Sequence, residues 1–487
     1  MDERTPVLVG AAAVSQRFDD PADAVEATAL MRRALDAALD DTDARAATHL
    51  NDRIDEIIVP EGIWGYRNPG RLVLDGRSPA ARTVVADIGI TQQHVFSRAA
   101  NLIADGQADV VVIAAGEAKY RSLRARILGT TAPETPSTDE PDVRLHPHDE
   151  VLTHLEIHRC LAAPTHQYAV MESAIRHDAG RSVDEHALHV AELVSSFSAV
   201  AATNSDAWTR TPMTAADITA APMVAEPYTK PCCSQWNVDQ ASAFVLCSVG
   251  FARTASIATD RWVFPWAGSE SNLMVPLTER AELHRSPAIA AVGAALADTT
   301  GIHLNDIELL EIYSCFPAAV QLQCRELGID PASRPLTVTG GMHFAGGPLN
   351  SFSLQALARI VPMLRAEPSA TALVTSVSGM VTKFGAGIWS ATPPPTPFAN
   401  VDVTETARTT TDTRTIDPDY AGSATVAGYT VGHRSGAPVE TVVIVDTPTG
   451  TRAVAASTNP GVVEALRHDE WCGRTVTVDG PTLLGGA

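Results

Sequence analysis

Apolar residues run along this chain in short continuous blocks, and these blocks alternate with amphipathic stretches. PVLVGAAAV (Pro6 to Val14) is one such block and reads as a strand buried on both faces. The stretch from Asp23 to Asp41 follows as a helix, with Ala24, Leu30, Leu35 and Leu39 on its apolar side. RIDEIIVPEG, ending at Gly62, and TVVADIG, from Thr83 to Gly89, read as two more strands. QHVFSRAANLIADG is then a helix, and ADVVVIAAGEA is a strand whose apolar run closes at Gly116.

The second half repeats this order. RWVFPWAGS (Arg261 to Ser269) is a strand. SPAIAAVGAALADTTG is a helix, with Ser286 as N-cap, Pro287 in the first turn and Gly301 at the stop. IELLEIYS (Ile307 to Ser314) is a strand and CFPAAVQLQCRELGI carries a helix. SLQALARIVPMLRAEPSA is another helix, and TALVTSVSG closes the cycle as a strand. Fully apolar strands alternating with helices imply parallel sheets covered on both faces.

From about Tyr120 to Ser256 the texture differs. A Pro/Thr/acidic segment, TTAPETPSTDEPD, reads as a mobile loop. Three helical stretches follow: EVLTHLEIHRCLAAP, HQYAVMESAIRHDAG and SVDEHALHVAELVSSFSAVAATN. ATPPPTPFAN (Ala391 to Asn400) is a stiff proline spacer that sets the C-terminal segment apart as a unit able to fold alone. Beyond it the pattern is that of strands: SATVAGYTVGH, ETVVIVDTPTGTRAVAAST and GRTVTV, with a hairpin turn at Pro448 to Gly450. The expected domains are a first half (1–119 with 240–260), a helical insert (120–239), a second half (261–392), a proline linker (393–399) and a small β-barrel or sandwich (400–487).

Composition narrows the function classes. The formal charge of −21 argues against nonspecific nucleic-acid binding, and no apolar run reaches the ~20 residues of a membrane span. MDERTPVLVG lacks the basic and apolar regions of a signal peptide. Seven cysteines, odd in number and irregularly spaced, fit reduced thiols and a cytoplasmic location. His154 and His158, spaced i,i+4 near Glu150, lack a third ligand and read as a solvated face, so no metal is expected.

Several stretches resemble the thiolase superfamily, and its sterol-carrier-protein thiolase branch in particular. They are PVLVGAAAVSQR, SRAANLIADGQADVVVIAAGEA, PYTKPCCSQWNVDQASAFVLCS, IYSCFP (Ile312 to Pro317) and TGGMHFAGGPLNSFS (Thr339 to Ser353). The resemblance covers about Thr5 to Ser390. It implies an α/β fold class: duplicated thiolase-type βαβαβ halves forming a five-layered αβαβα core, with a helical insert and a C-terminal all-β domain. GYTVGHR and VVIVDTPTG in turn resemble the OB-fold half of acyl-CoA-binding proteins that accompany thiolase-like subunits.

Thiolases of this kind use a cysteine at a helix N-terminus, a histidine in a Gly-His-Pro turn and a second cysteine. The resemblance puts Gly89 at the nucleophile, Gly347 at the histidine and Ser376 at the second cysteine, with Tyr313 in the third loop. No cysteine occurs between Met1 and Arg159, so acyl transfer through a thioester on the first loop is chemically unavailable. Amides around Gly89 and Gly379 remain able to form an oxyanion hole. Tyr313 as proton donor, His343 as base and Ser376 are the catalytic candidates. Gly89, Thr91, Phe316, Gly347 and Gly379 are the candidates for contact with the ligand, CoA or acyl-CoA. Cys315 continues an apolar run and reads as a buried structural thiol.

The resulting expectation is a thiolase-like protein that binds CoA or acyl-CoA, alone, as a homodimer or with a second subunit, without normal acetyl-CoA acetyltransferase activity. The alternatives are an acyl-CoA enzyme of different chemistry, by retro-aldol cleavage or acyl transfer, and a scaffold or lipid-binding module.

Overall fold

A computed structural model describes residues 1–486, the side chains at positions 44, 45 and 47 excepted. Among the described residues two sheets build the core. One has six strands, in the order Pro6–Gln16, Asp239–Ser248, Val110–Ala118, Glu56–Pro60, Arg82–Ala86 and Val143–Leu145. The other has five, in the order Leu309–Glu311, Thr371–Ser378, Lys383–Ser390, Phe264–Ser271 and Ala399–Asp402.

Two helices, Gln92–Ala104 and Phe352–Ala366, fill the space between the sheets. Val95, Phe96 and Ile103 from one helix and Leu357, Ile360 and Leu364 from the other share a single core with Ile113 and Phe244 of the first sheet and Val374 and Trp389 of the second. The Phe96 ring meets Phe244 and Trp389 edge-on, each at 5.2 Å, and so ties both sheets to the central layer. Ala27–Asp40 covers the outer face of the first sheet, and Pro287–Thr300 with Pro317–Leu327 covers that of the second. The result is the five-layered αβαβα core. Lys383–Ser390 is among the strands with no counterpart in the apolar pattern, because its two interior glycines break the run.

The segment expected as a mobile loop is tied down, because its acidic and hydroxyl side chains meet backbone amides and arginines of the first half. Gly65 N–H donates to Glu134, Asn68 N–H to Ser137, Arg67 pairs with Glu140, and Thr83 N–H donates to Asp142 at 2.8 Å. The segment then becomes the Val143–Leu145 strand, parallel to Arg82–Ala86 at the sheet's edge. Of the three helical stretches expected in the insert, Pro164–Asp178 and Val183–Thr203 are long, whereas the first shrinks to His154–His158. There Glu156 closes a capping box with Thr153 and is buried against Thr278, which ends the solvent-facing pattern.

The proline spacer does not lead to a detached unit. Ala399–Asp402 pairs in parallel with Phe264–Ser271, and Ala407 of the following helix is buried with Leu273, Val275 and Ala288. The barrel proper is closed by five strands, Ala421–Arg434, Ala437–Asp446, Arg452–Ser457, Thr482–Gly486 and Thr475–Asp479, the last pairing with the first. A helix, Pro460–His468, contributes Val463 and Leu466 to its core. The barrel leans on the insert closely enough that a Cβ on Gly428 would lie 2.9 Å from Val170 and 2.8 Å from Leu283. Arg176 of the insert, 4% exposed, bonds Glu470 through two nitrogens and Tyr429 through one. Buried Arg452 caps the carbonyls of Arg280 and Ala281. These fixed contacts, and not the spacer, decide how the barrel sits. No helix among the described residues is long and apolar enough to cross a membrane.

Candidate functional site

Four loops meet where the central helices begin, at the carboxyl ends of core strands, the usual place for a ligand crevice in α/β proteins. Gln92 and Gln93, in the first turn of the Gln92–Ala104 helix, join them. Gln92 Oε1 accepts from Ser353 N–H at 2.5 Å, and Gln93 N–H donates to Ser376 Oγ at 3.2 Å. Tyr313 N–H donates to Thr375 Oγ1 at 2.7 Å, and Met342 N–H to Ser314 Oγ at 3.0 Å. The glycine turn is fixed by Gly347 N–H on the Gln235 carbonyl at 2.9 Å, and Ser234 Oγ donates to the Cys315 carbonyl.

Gly89 is buried with φ +110°, a backbone that favours glycine. A Cβ there would sit 3.0 Å from two ring carbons of Pro147. The strap that continues from Val143–Leu145 thus fills the space of the expected nucleophile, and glycine does not widen the crevice as side-chain loss alone would suggest. The Gly89 N–H donates to no group among the described residues. Thr91 is the N-cap of the helix, accepting from His94 N–H, and its hydroxyl donates to Glu270 at 3.0 Å.

Tyr313 is 7% exposed, its ring edge-on to Phe352 at 5.7 Å, and burial raises its phenol well above the usual range. Phe316 stacks between Tyr168 at 4.7 Å and Tyr228 at 5.6 Å. Cys315, half-buried, has its thiol pushed up to about 12 by burial, so it holds no thiolate at neutral pH. His343 lies against Phe197, beside the Cys232 backbone but short of hydrogen-bond geometry. Both ring nitrogens are unpartnered, and burial pulls its pKa down to about 4. It is therefore neutral, and no hydrogen bond or ring contact joins it to Tyr313 among the described residues. Ser376 is 2% exposed and donates to the Gly385 carbonyl at 3.2 Å, with no base beside it.

The glycine turn and the Gly379 loop are strained. Gly346 has φ +106°, and a Cβ there would come within 2.2 Å of Gln240 Oε1, whereas at Gly347 the tightest approach would be 3.1 Å, to the flexible end of Met342. Gly379, Met380 and Val381 stand in succession at φ +56°, +51° and +73°; a buried β-branched residue in that region marks stored backbone strain.

Four side chains here carried no sequence motif. Glu270, 3% exposed, gathers Thr91, His94 Nδ1 at 2.8 Å and Asn400 at 3.1 Å. The bond to Glu270 raises His94. Lys383 is buried at the mouth of the Gly379 loop. Glu117 and Glu311 are buried carboxyls, each pushed up to about 7 by burial. A charged residue within a strand-length apolar run was the available signal for Glu117 and Glu311, whereas Lys383 stands in a glycine-broken stretch that carried none.

The layered core and its loops define a thiolase-type fold. Residues 404–480 match the model of the thiolase-like protein type 1 additional C-terminal domain. Over its whole length the chain is similar to a monomeric SCP2-thiolase like protein type 1 from Mycobacterium smegmatis, with 25% identity, a TM-score of 0.85 and full coverage of both chains. An Ltp2-ChsH2(DUF35) aldolase shares the fold at 17% identity and TM-score 0.59, and the dimeric peroxisomal thiolase of Saccharomyces cerevisiae does so at 15% and 0.57. Each covers 80% of this chain and 98% of its own. No curated protein matches the sequence.

Proposed function

We propose that this thiolase-like protein binds CoA or acyl-CoA in the crevice between insert and core, with the thioester at the loop junction, and carries out no cysteine-dependent thiolysis or Claisen condensation. The observation that carries the reading is Gly89, a buried glycine whose N–H donates to no group among the described residues and which precedes the helix whose first turn joins the loops. An amide with no acceptor inside the protein is available to a ligand, and a thioester carbonyl is such an acceptor. The side-chain half of the thiolase site is gone while this main-chain donor remains. Calorimetry and thermal shift with CoA, acetyl-CoA and longer acyl-CoAs test it. Binding in the micromolar to millimolar range is expected, and a flat response at millimolar CoA would end the proposal.

A second reading is C–C cleavage of a β-hydroxyacyl thioester. It is favoured by a neutral, unpartnered His343 and an un-ionised Tyr313 around the crevice, which suit proton transfer without a covalent acyl intermediate. Tyr313→Phe should then abolish turnover and leave CoA affinity nearly unchanged; full activity in that variant would remove the reading.

A further inference from the structure

The chain has 36 basic residues, and three of them are lysines: Lys119, Lys230 and Lys383. Lys230 is exposed and Lys119 half-buried, whereas Lys383 is 1% exposed. It opens the Lys383–Ser390 strand, paired with Ser378, and its Cγ lies 3.2 Å from where a Cβ on Gly379 would stand. Strand alternation puts it on the same face as Gly385 and Gly387, and both of these press on Gln93. Lys383 therefore points into the junction between the Gly379 loop and the start of the Gln92–Ala104 helix.

Among the described residues this ammonium makes no hydrogen bond and no ion pair. Burial lowers its pKa, and the carboxylates of Asp149 and Glu270 act on it through space in the opposite sense. Its stem is buried, but Nζ is not among the fully buried polar atoms without a partner, so the amine stays open to a small molecule. An arginine, which the chain uses nearly everywhere else, would supply charge without ever becoming a nucleophile.

We propose that Lys383 is a covalent nucleophile of this crevice, forming an imine with the aldehyde or ketone carbonyl of a ligand. The amine nitrogen attacks the carbonyl carbon, a C–N bond forms, and the carbonyl oxygen leaves as water. Ammonium and carbonyl thus give iminium and water, with no net proton and no oxidant or reductant. The iminium then serves as an electron sink for breaking or making the adjacent C–C bond. The β-keto group of a β-ketoacyl thioester falls in the same class of carbonyl. The inference does not depend on CoA binding, because the probe below carries no CoA.

The full-length protein is treated at pH 7 with acetaldehyde and sodium cyanoborohydride, and the time course of ethylation is mapped by peptide mass. An ordinary lysine keeps on the order of one part in a thousand as free amine at this pH, so Lys119 and Lys230 label slowly. Lys383 is expected to label faster than either. Lys383→Arg should lose that fast label while Lys119 and Lys230 keep their slow one. A Lys383 that stays unlabelled while Lys119 and Lys230 react, or that reacts no faster than they do, overturns the proposal. A CoA shift without Lys383 labelling removes this inference alone; labelling without a CoA shift removes the CoA reading alone.

Discussion

The two halves of the core repeat one pattern but treat their share of the crevice differently. In the first half the expected nucleophile position is Gly89, and Pro147 of the strap lies against it. In the second half the loops keep a demanding backbone: Gly346 pressed on Gln240, and Met380 and Val381 in left-handed conformations. They also keep Tyr313, Ser376 and Lys383 buried around it. Strained backbone persists when its surroundings over-determine it, and here those surroundings are the second half's own bonds, such as Arg280 on the Gly379 carbonyl at 3.0 Å.

The contrast breaks most sharply at Gly346. Gly346→Ala adds both a disallowed φ and a 2.2 Å contact, so thermal or denaturant unfolding should show a loss of about 3 kcal/mol. The buried carboxyls come next, one in each half. Both are raised to about 7, above an unfolded value of ~4.3. Each therefore supports the fold fully below that unfolded value, and the support is lost as pH rises through about 7. Glu311 has both oxygens occupied, by Thr337 and Thr339 hydroxyls and by the Val338 and Thr339 amides. Glu311→Gln turns an amide NH2 toward two N–H groups and should cost about 2–3 kcal/mol at pH 7. Glu117 has one oxygen on Ile63 N–H and one bare. Glu117→Gln should instead stabilise by about 2 kcal/mol at pH 8 and by almost nothing at pH 4, read from melting curves at both pH values.

Gly89→Cys sharpens the same comparison from the first half. It should cost about 1–2 kcal/mol, through its φ and the Pro147 contact, and acetoacetyl-CoA thiolysis should stay at background in a standard absorbance assay. A thiolase-like rate in this variant would show that the strap does not occupy the reactive position. The smallest effect is expected at Gly347→Ala, below about 1 kcal/mol, because its Cβ would meet Met342 and Ser234 at 3.1 to 3.5 Å.

The sequence by itself determined the duplicated α/β core, because apolar runs of strand length and 3.6-residue stripes report burial directly. It also settled the missing cysteine, since absence from a stretch of chain needs no coordinates. Glu270, His94 and Asn400 come from separate stretches of chain, and no spacing in the sequence could have joined them. Tyr313 and His343 were visible as residue types, but their separation, and the neutrality of His343, follow from packing against Phe352 and Phe197. The acidic segment before Val143 looked mobile because its polar side chains had no partners within the segment; the partners lie on the first half's loops. The barrel's docking depended in the same way on Arg176 and Arg452, two arginines indistinguishable by pattern from those on the surface. Local pattern carries burial and secondary structure. Which polar group meets which is decided by long-range approach of the chain, and only the folded molecule fixes that.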